Sequence, residues 1–211
     1  MFKNREEAGK ILAEKLSIYK DKDSIIIAIP RGGVVIGYEL AMALKTGLDI
    51  VIVRKLGFPS DPETAMGAIA SDGSVVLDTE GITYLQVSEK ELNRVESREL
   101  KEVIRREKKY RGNKRFPDLK KRTVIMADDG TATGLTAIAA IRFIKKRHPK
   151  KIIFAVPTGP SEVLDKIRRE VDEVVVLDTP YPFFAVGAVY EDFPQVSDRE
   201  VISLLKKAGR E

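Results

Sequence analysis

The sequence has no cysteine, no tryptophan and a single histidine, His148. Without cysteine there are no disulfides, no thiolate nucleophile and no cysteine-ligated zinc or iron–sulfur centre. One histidine excludes a His-rich metal site and a two-histidine zinc motif. No apolar run approaches the roughly 20 residues that span a bilayer. The N-terminal MFKNREEAGK is charged, so the expectation is a soluble, cytoplasmic protein. Repeats and low-complexity tracts are also absent.

At 211 residues and 43% hydrophobic content, the chain can bury a sizeable core, and its length predicts one domain. Lys and Arg number 37 against 32 acidic residues, a net charge of +5. A basic balance points to an anionic partner: nucleic acid, a membrane surface or a phosphorylated small molecule. The excess is local. Residues 88–115 hold eleven Lys or Arg and six Glu, leaving 26 basic and 26 acidic residues elsewhere. Ser88 followed by Glu91 forms a capping box, and Gly112 closes the predicted helix. Its thin apolar stripe (Leu92, Val95, Leu100, Val103, Ile104, Tyr110) reads as a solvated helix laced with ion pairs, or as a basic arm beside an anionic site or a subunit contact.

Elsewhere short apolar runs alternate with helical periodicity. Strands are predicted at Ser24–Ile29, Asp49–Val53, Thr123–Ala127, Lys151–Val156 and Glu173–Leu177. Helices are predicted at Arg5–Tyr19, Val34–Leu44, Gly134–Arg147 and Ser161–Glu170. This is the pattern of an α/β fold, a five-stranded parallel sheet with helices on both faces. Residues 57–87 break the alternation. Ala65–Ala70 and Ser74–Leu77 flank Asp72-Gly73, a strong hairpin signal. Residues 181–193 hold five of the fourteen aromatics: Tyr181, Phe183, Phe184, Tyr190 and Phe193.

In open α/β sheets ligands bind beyond the carboxyl ends of the strands, so the loops there carry the chemistry. One is Asp128-Asp129-Gly130-Thr131-Ala132-Thr133-Gly134-Leu135-Thr136. Its small residues let backbone N–H groups turn inward as an anion nest at a helix N-terminus. Thr131, Thr133 and Thr136 add hydroxyls. The carboxylates suit sugar hydroxyls or a hydrated Mg²⁺. It is neither a Walker loop nor a G-x-G-x-x-G dinucleotide loop. Pro30-Arg31-Gly32-Gly33 follows the first predicted strand, where two glycines allow close backbone approach to an anion. Arg54 and Lys55 follow the second, two cations aimed at the same edge. Asp61 and Glu63 lie in the Pro-rich loop after Lys55, as lid residues or as turn formers. His148 reads as a surface residue near a helix C-terminus.

The segment VIMADDGTATGLT resembles the phosphoribosyl-pyrophosphate (PRPP) motif of type I phosphoribosyltransferases, with Gly130 and Thr131 standing where that motif is usually apolar. IPRGGV, VRKLGFPSDPETAMGAIA, YRGNKRFPDL and FFAVGAVYEDFPQVSD extend the resemblance, from near residue 5 to near residue 201, to predicted phosphoribosyltransferases of unassigned substrate. The resemblance implies a single domain over residues 1–211. Its core would occupy about 20–56 and 120–178, a hairpin and long-helix lid region about 57–117, and a small hood about 180–200 with the N-terminal helix. It further implies transfer of phosphoribosyl from PRPP to a nitrogenous, nucleobase-like acceptor with release of pyrophosphate, using Mg²⁺.

By that resemblance Asp128 and Asp129 hold the ribose hydroxyls and, through water, the metal. Gly130, Thr131, Ala132, Thr133, Gly134 and Thr136 cradle the 5′-phosphate. Arg31, Gly32, Gly33, Arg54 and Lys55 take the pyrophosphate, with a cis peptide expected at Pro30–Arg31. Asp128, Asp129, Arg31 and Lys55 form the catalytic set. Phe183 and Phe184 are the candidates for stacking the acceptor, with burial in the hood core as the competing expectation. A homodimer is expected. The alternative is a PRPP- or nucleotide-sensing regulator of the same fold that binds nucleic acid. The six glutamates of the basic helix and the absence of a helix-turn-helix or appended basic domain weigh against it.

Overall fold

A computed structural model describes residues 1–209; Arg210 and Glu211, the end of the expected domain, lie outside the described residues. The first half of the chain contains α1 (Arg5–Lys15), β1 (Ser24–Ala28), α2 (Gly32–Leu44), β2 (Gly47–Ile50), β3 (Val53–Gly57), β4 (Ala65–Ala70), β5 (Val75–Leu77), α3 (Thr79–Tyr84) and α4 (Glu89–Arg111). The second half contains β6 (Thr123–Ala127), α5 (Leu135–Lys145), β7 (Lys151–Thr158), α6 (Ser161–Arg168), β8 (Glu173–Asp178) and α7 (Asp198–Ala208).

Five strands form a parallel sheet in the order β2-β1-β6-β7-β8. Its central strands are apolar throughout because both faces are covered. On β1, Ile26 and Ala28 join one core with Leu12 of α1, Leu16 just beyond it, and Ile36 and Leu40 of α2. Ile25 and Ile27 face the other core, with Ile141, Phe143 and Ile144 of α5 and Leu164 and Ile167 of α6. Each such fully buried Leu or Ile stabilises the fold by about 1.5–3 kcal/mol relative to exposure. Among the described residues no helix is long and apolar enough to cross a membrane.

The expected hairpin is present. β3, β4 and β5 form an antiparallel sheet, with Gly73 at φ +77° in its tight turn and Asp72 Oδ1 accepting from the Ser74 N–H at 2.9 Å. One face, through Ala68, Ala70 and Val76, shares a core with α5. The other, through Leu56, Met66 and Ile69, shares a core with Val95 and Val103 of α4. The expected capping box starts α4: Ser88 accepts from the Glu91 N–H, and Glu91 accepts from the Ser88 N–H at 3.0 Å. Gly112, at φ +64°, ends it. Arg111 pins this end to the sheet edge through Asp49 at 3.0 Å and the Ile50 carbonyl at 2.6 Å.

Three expectations need correction. The predicted strand Asp49–Val53 is two strands: β2 pairs with β1 only to Ile50, and from Val53 the chain pairs with Ala70 of β4. Val51, Ile52 and Val53 are all buried, so the apolar run shows no break where the chain changes sheets. Arg54 and Lys55 therefore lie on β3 rather than in a loop. The predicted helix Arg5–Tyr19 ends at Lys15, followed by a 3₁₀ turn over Ser17–Tyr19. Helix α7 was not expected, although Ser197 caps it by accepting from the Glu200 N–H at 3.2 Å.

Candidate active site

In the strand order, β1 is followed by β2 on one side and lies against β6 on the other. The crevice beyond the carboxyl ends of β1 and β6 is thus the topological switch point, where open α/β sheets bind ligands. A cleft of about 550 Å³ lies there, within the roughly 300–1,000 Å³ typical of small-molecule sites. Three stretches build its walls: Ile29–Gly32 after β1, Asp128–Thr133 with Thr136 after β6, and Val53, Arg54, Lys55 and Gly57 of β3. Pro62 and Glu63 of the β3–β4 connection, Arg98, Glu99 and Arg106 of α4, and Val186 complete the lining. Every residue assigned to PRPP from the sequence lines this cleft except Gly33 and Gly134.

The acidic pair is held differently at its two members. Asp128 is buried, and its Oδ1 accepts from the Asp129 N–H at 2.9 Å. Burial, and then the neighbouring Asp129 charge, push its carboxyl well above the usual carboxylate range. Asp129 Oδ2 is paired with Arg5 Nε at 2.7 Å, and the Asp129 carbonyl accepts from the Tyr190 hydroxyl at 2.6 Å. Burial pushes the Tyr190 hydroxyl pKa upward, so this tyrosine stays a donor. Arg5 also donates to the Pro194 carbonyl at 2.8 Å, and its guanidinium lies 3.6 Å over Phe193. Phe193 stacks on Tyr190, and Tyr190 packs on Phe2. The N-terminus is bound into this cluster by Phe2 N–H to Val189 carbonyl at 2.7 Å and Glu191 N–H to Phe2 carbonyl at 2.8 Å.

The glycines of the first loop have a protein-internal reason. A Cβ on Gly32 would fall 1.8 Å from Asp129 Oδ2, and one on Gly33 would fall 2.8 Å from the Ala127 carbonyl oxygen. Helix α2 can start against the acidic pair only without those side chains. The Pro30–Arg31 peptide is cis, where the resemblance places one. In the second loop Gly130 sits at φ +155°, and a Cβ there would meet Val186 Cγ1 at 2.4 Å. Thr131 is anchored by its N–H on the Thr158 carbonyl at 3.0 Å, while Ala132 and Thr133 are exposed.

The cations are not all free. Arg54 Nε lies 2.9 Å from Glu99, which also takes Arg98 at 2.9 Å. Arg106 pairs with Glu102 at 2.7 Å. Arg31 lies 3.8 Å from Asp198, which Lys109 and Tyr110 also engage. Burial, then the bond to Asp198, push the Tyr110 pKa up to about 12. Lys55 is exposed and, among the described residues, forms no ion pair. The basic helix thus presents Arg98 and Arg106 to the cleft while its Val95, Glu99 and Val103 face inward.

Phe183 and Phe184 are not brought to the cleft lining. Phe184 is 83% exposed, so it is not hood core either; Phe2, Tyr190 and Phe193 supply the aromatic packing. His148 is exposed, beyond α5. Sequence reasoning missed Arg5, Tyr190, Glu99 and Asp198. Glu99 carried a signal: it stands at i+4 from Val95 and i−4 from Val103, on the apolar stripe where a lone carboxylate needs a partner.

Fold and cleft together define an α/β protein with a crevice at the sheet's switch point, lined by cations and by an acidic pair beside a small-residue loop. Residues 2–191 match the family described as phosphoribosyl transferase domain, and the chain belongs to that family. Two Mycobacterium tuberculosis proteins, from strains CDC 1551 and H37Rv and each named "Putative phosphoribosyl transferase", are 40% identical over 212 aligned residues. The alignment covers 100% of this chain and 48% of theirs, so the chain spans about half the length of these relatives. The crystal structure of TT1426 from Thermus thermophilus is similar at TM-score 0.81 and 35% identity, covering 98% of each chain.

Proposed function

We propose that the protein binds PRPP with Mg²⁺ and transfers phosphoribosyl to a ring nitrogen of a nucleobase-like acceptor, releasing pyrophosphate. The observation that carries this reading is the acidic pair Asp128-Asp129 at the end of β6, set in one cleft with the small-residue loop Gly130–Thr133 and with Arg31 and Lys55.

Loop N–H groups and the Thr131, Thr133 and Thr136 hydroxyls take the 5′-phosphate at the start of α5. Asp129, oriented by Arg5, accepts from a ribose hydroxyl. Asp128, buried beside it, hydrogen-bonds the neighbouring hydroxyl. Arg31, Arg54 and Lys55 neutralise the departing pyrophosphate. Such a reaction needs positioning and charge stabilisation, which preorganised groups provide without covalent chemistry.

The metal fits the donor set in a restricted sense. Among the described residues no group of three or more His, Cys, Asp or Glu could hold a metal. The two adjacent carboxylates at the strand end suit an ion that arrives coordinated by substrate oxygens. Asp128 and Asp129 would hold it through water, and its charge would favour the leaving pyrophosphate.

The test is pyrophosphate release from PRPP and Mg²⁺ against a panel of purine and pyrimidine bases. Asp128→Asn with Asp129→Asn is expected to lower turnover by about 10²-fold or more. No turnover with any base, together with tight, salt-sensitive RNA binding, would sink the reading in favour of a nucleic-acid-binding regulator.

A further inference from the structure

We propose that Glu63 is the general base of the transfer, taking the proton from the acceptor's ring nitrogen as that nitrogen attacks. The proposal rests on the reaction proposed above.

A neutral acceptor must lose its N–H proton as the new bond forms, so the cleft needs a free acceptor of protons within reach. Four acids line it: Glu63, Glu99, Asp128 and Asp129. Asp129 is committed to Arg5 at 2.7 Å. Glu99 is buried between Arg54 and Arg98, each at 2.9 Å. Asp128 is buried and accepts from the Asp129 N–H. Among the described residues Glu63 is the lining acid whose carboxylate has neither an ion-pair nor a hydrogen-bond partner; only its backbone N–H is engaged.

The position of Glu63 is built rather than accidental. The β3–β4 connection closes with the Phe58 N–H on the Thr64 carbonyl at 3.0 Å. Asp61 organises the tip, accepting from the Glu63 N–H at 3.2 Å and from the Thr64 hydroxyl. Those bonds, the Thr64 hydroxyl first, hold the Asp61 carboxyl below its usual range. Pro62 lies flat on Gly57, where a Cβ would fall 2.3 Å from the Pro62 carbonyl oxygen. Asp61, Pro62 and Gly57 therefore fix the backbone that carries Glu63 into the wall of the cleft that the acidic pair also lines. Asp61 is a turn former and Glu63 the chemical group, which separates two residues that the sequence leaves alike.

The step balances within the cleft. The N–C1′ bond forms as the C1′–O bond breaks. The electron pair leaves on pyrophosphate, which Arg31 and Lys55 face. The ring N–H proton passes to the Glu63 carboxylate and from there to solvent, since Glu63 is exposed.

The experiment compares wild type, Glu63→Gln and Glu63→Asp in pyrophosphate release from MgPRPP, using the nucleobases of the panel that support turnover, alongside calorimetric PRPP binding. A positioned base contributes about 10²–10⁴-fold. Glu63→Gln is expected to lose at least the lower figure in kcat with PRPP affinity unchanged. The loss should be greatest for the acceptor with the least acidic N–H, and Glu63→Asp should recover part of it. Turnover of the Gln variant within threefold of wild type, or a loss matched by weakened PRPP binding, would overturn the assignment. Absence of wild-type turnover with every base would instead remove the reaction itself.

Discussion

Replacing Arg5 by Met tests whether helix α1 and the Phe193-Pro194 segment are bound to the acidic pair by one buried cation. The side chain is 9% exposed and its partner carboxylate 17%. Met keeps the apolar stem and removes three interactions: the ion pair at 2.7 Å, the bond to the Pro194 carbonyl at 2.8 Å and the stack 3.6 Å over Phe193. Removing one partner of a buried pair costs about 3–5 kcal/mol. The cation–π contact alone is worth about 0.5–2 kcal/mol. These terms share one guanidinium and do not add. Asp129 keeps some contact with solvent, which places the sum at the lower end, about 3 kcal/mol. For a chain of this size about 2–4 °C accompanies each kcal/mol, so melting should fall by about 6–12 °C. Urea unfolding should show a lower midpoint at unchanged slope. The decisive form is a cycle with Asp129→Asn. If the pair carries the effect, the double variant loses less than the two singles summed, by about 0.5–3 kcal/mol. Simple additivity would refute the argument and leave Arg5 as packing alone.

Thr158 is fully buried, and among the described residues its Oγ1 is the buried side-chain polar atom without a partner. An unsatisfied buried group costs about 1–3 kcal/mol, so Thr158→Val, equal in shape, should raise the urea midpoint; a lower midpoint would show that the hydroxyl is satisfied. Asp128 supplies a pH signature. Its folded pKa is raised, so between the ordinary carboxylate pKa and that raised value the folded chain holds a proton the unfolded chain has released. Stability from this group therefore falls as pH rises through that window. Asp128→Asn should lose that slope and gain about 0.5–2 kcal/mol at neutral pH, as functional-site replacements do, while losing turnover. An Asn variant that keeps the slope and is less stable at pH 7 would contradict it.

What could be read from the chain alone divides along a physical line. The parallel strands, the hairpin at Asp72-Gly73 and the capping box at Ser88 are local: each depends on periodicity or on groups a few residues apart. The Asp128–Thr136 loop was equally legible because its acids, glycines and hydroxyls are contiguous. The change of sheet at Val51 and Ile52 was not, because both residues are buried whichever sheet the chain joins. Only the pairing of Val53 with Ala70 distinguishes the two outcomes. The same holds for the site's supports. Arg5 meets a carboxylate 124 residues away, and Arg54 meets a glutamate 45 residues away. The aromatics show the same limit. The sequence singled out Phe183 and Phe184, while the packing of Tyr190 and Phe193 with Phe2 and Arg5, at the other end of the chain, is visible only in the fold. The residues that could touch a ligand were therefore visible as motifs. The residues that hold them at working geometry became visible only when the fold brought distant segments together, and that is where Arg5, Glu99 and the isolation of Glu63 acquire their meaning.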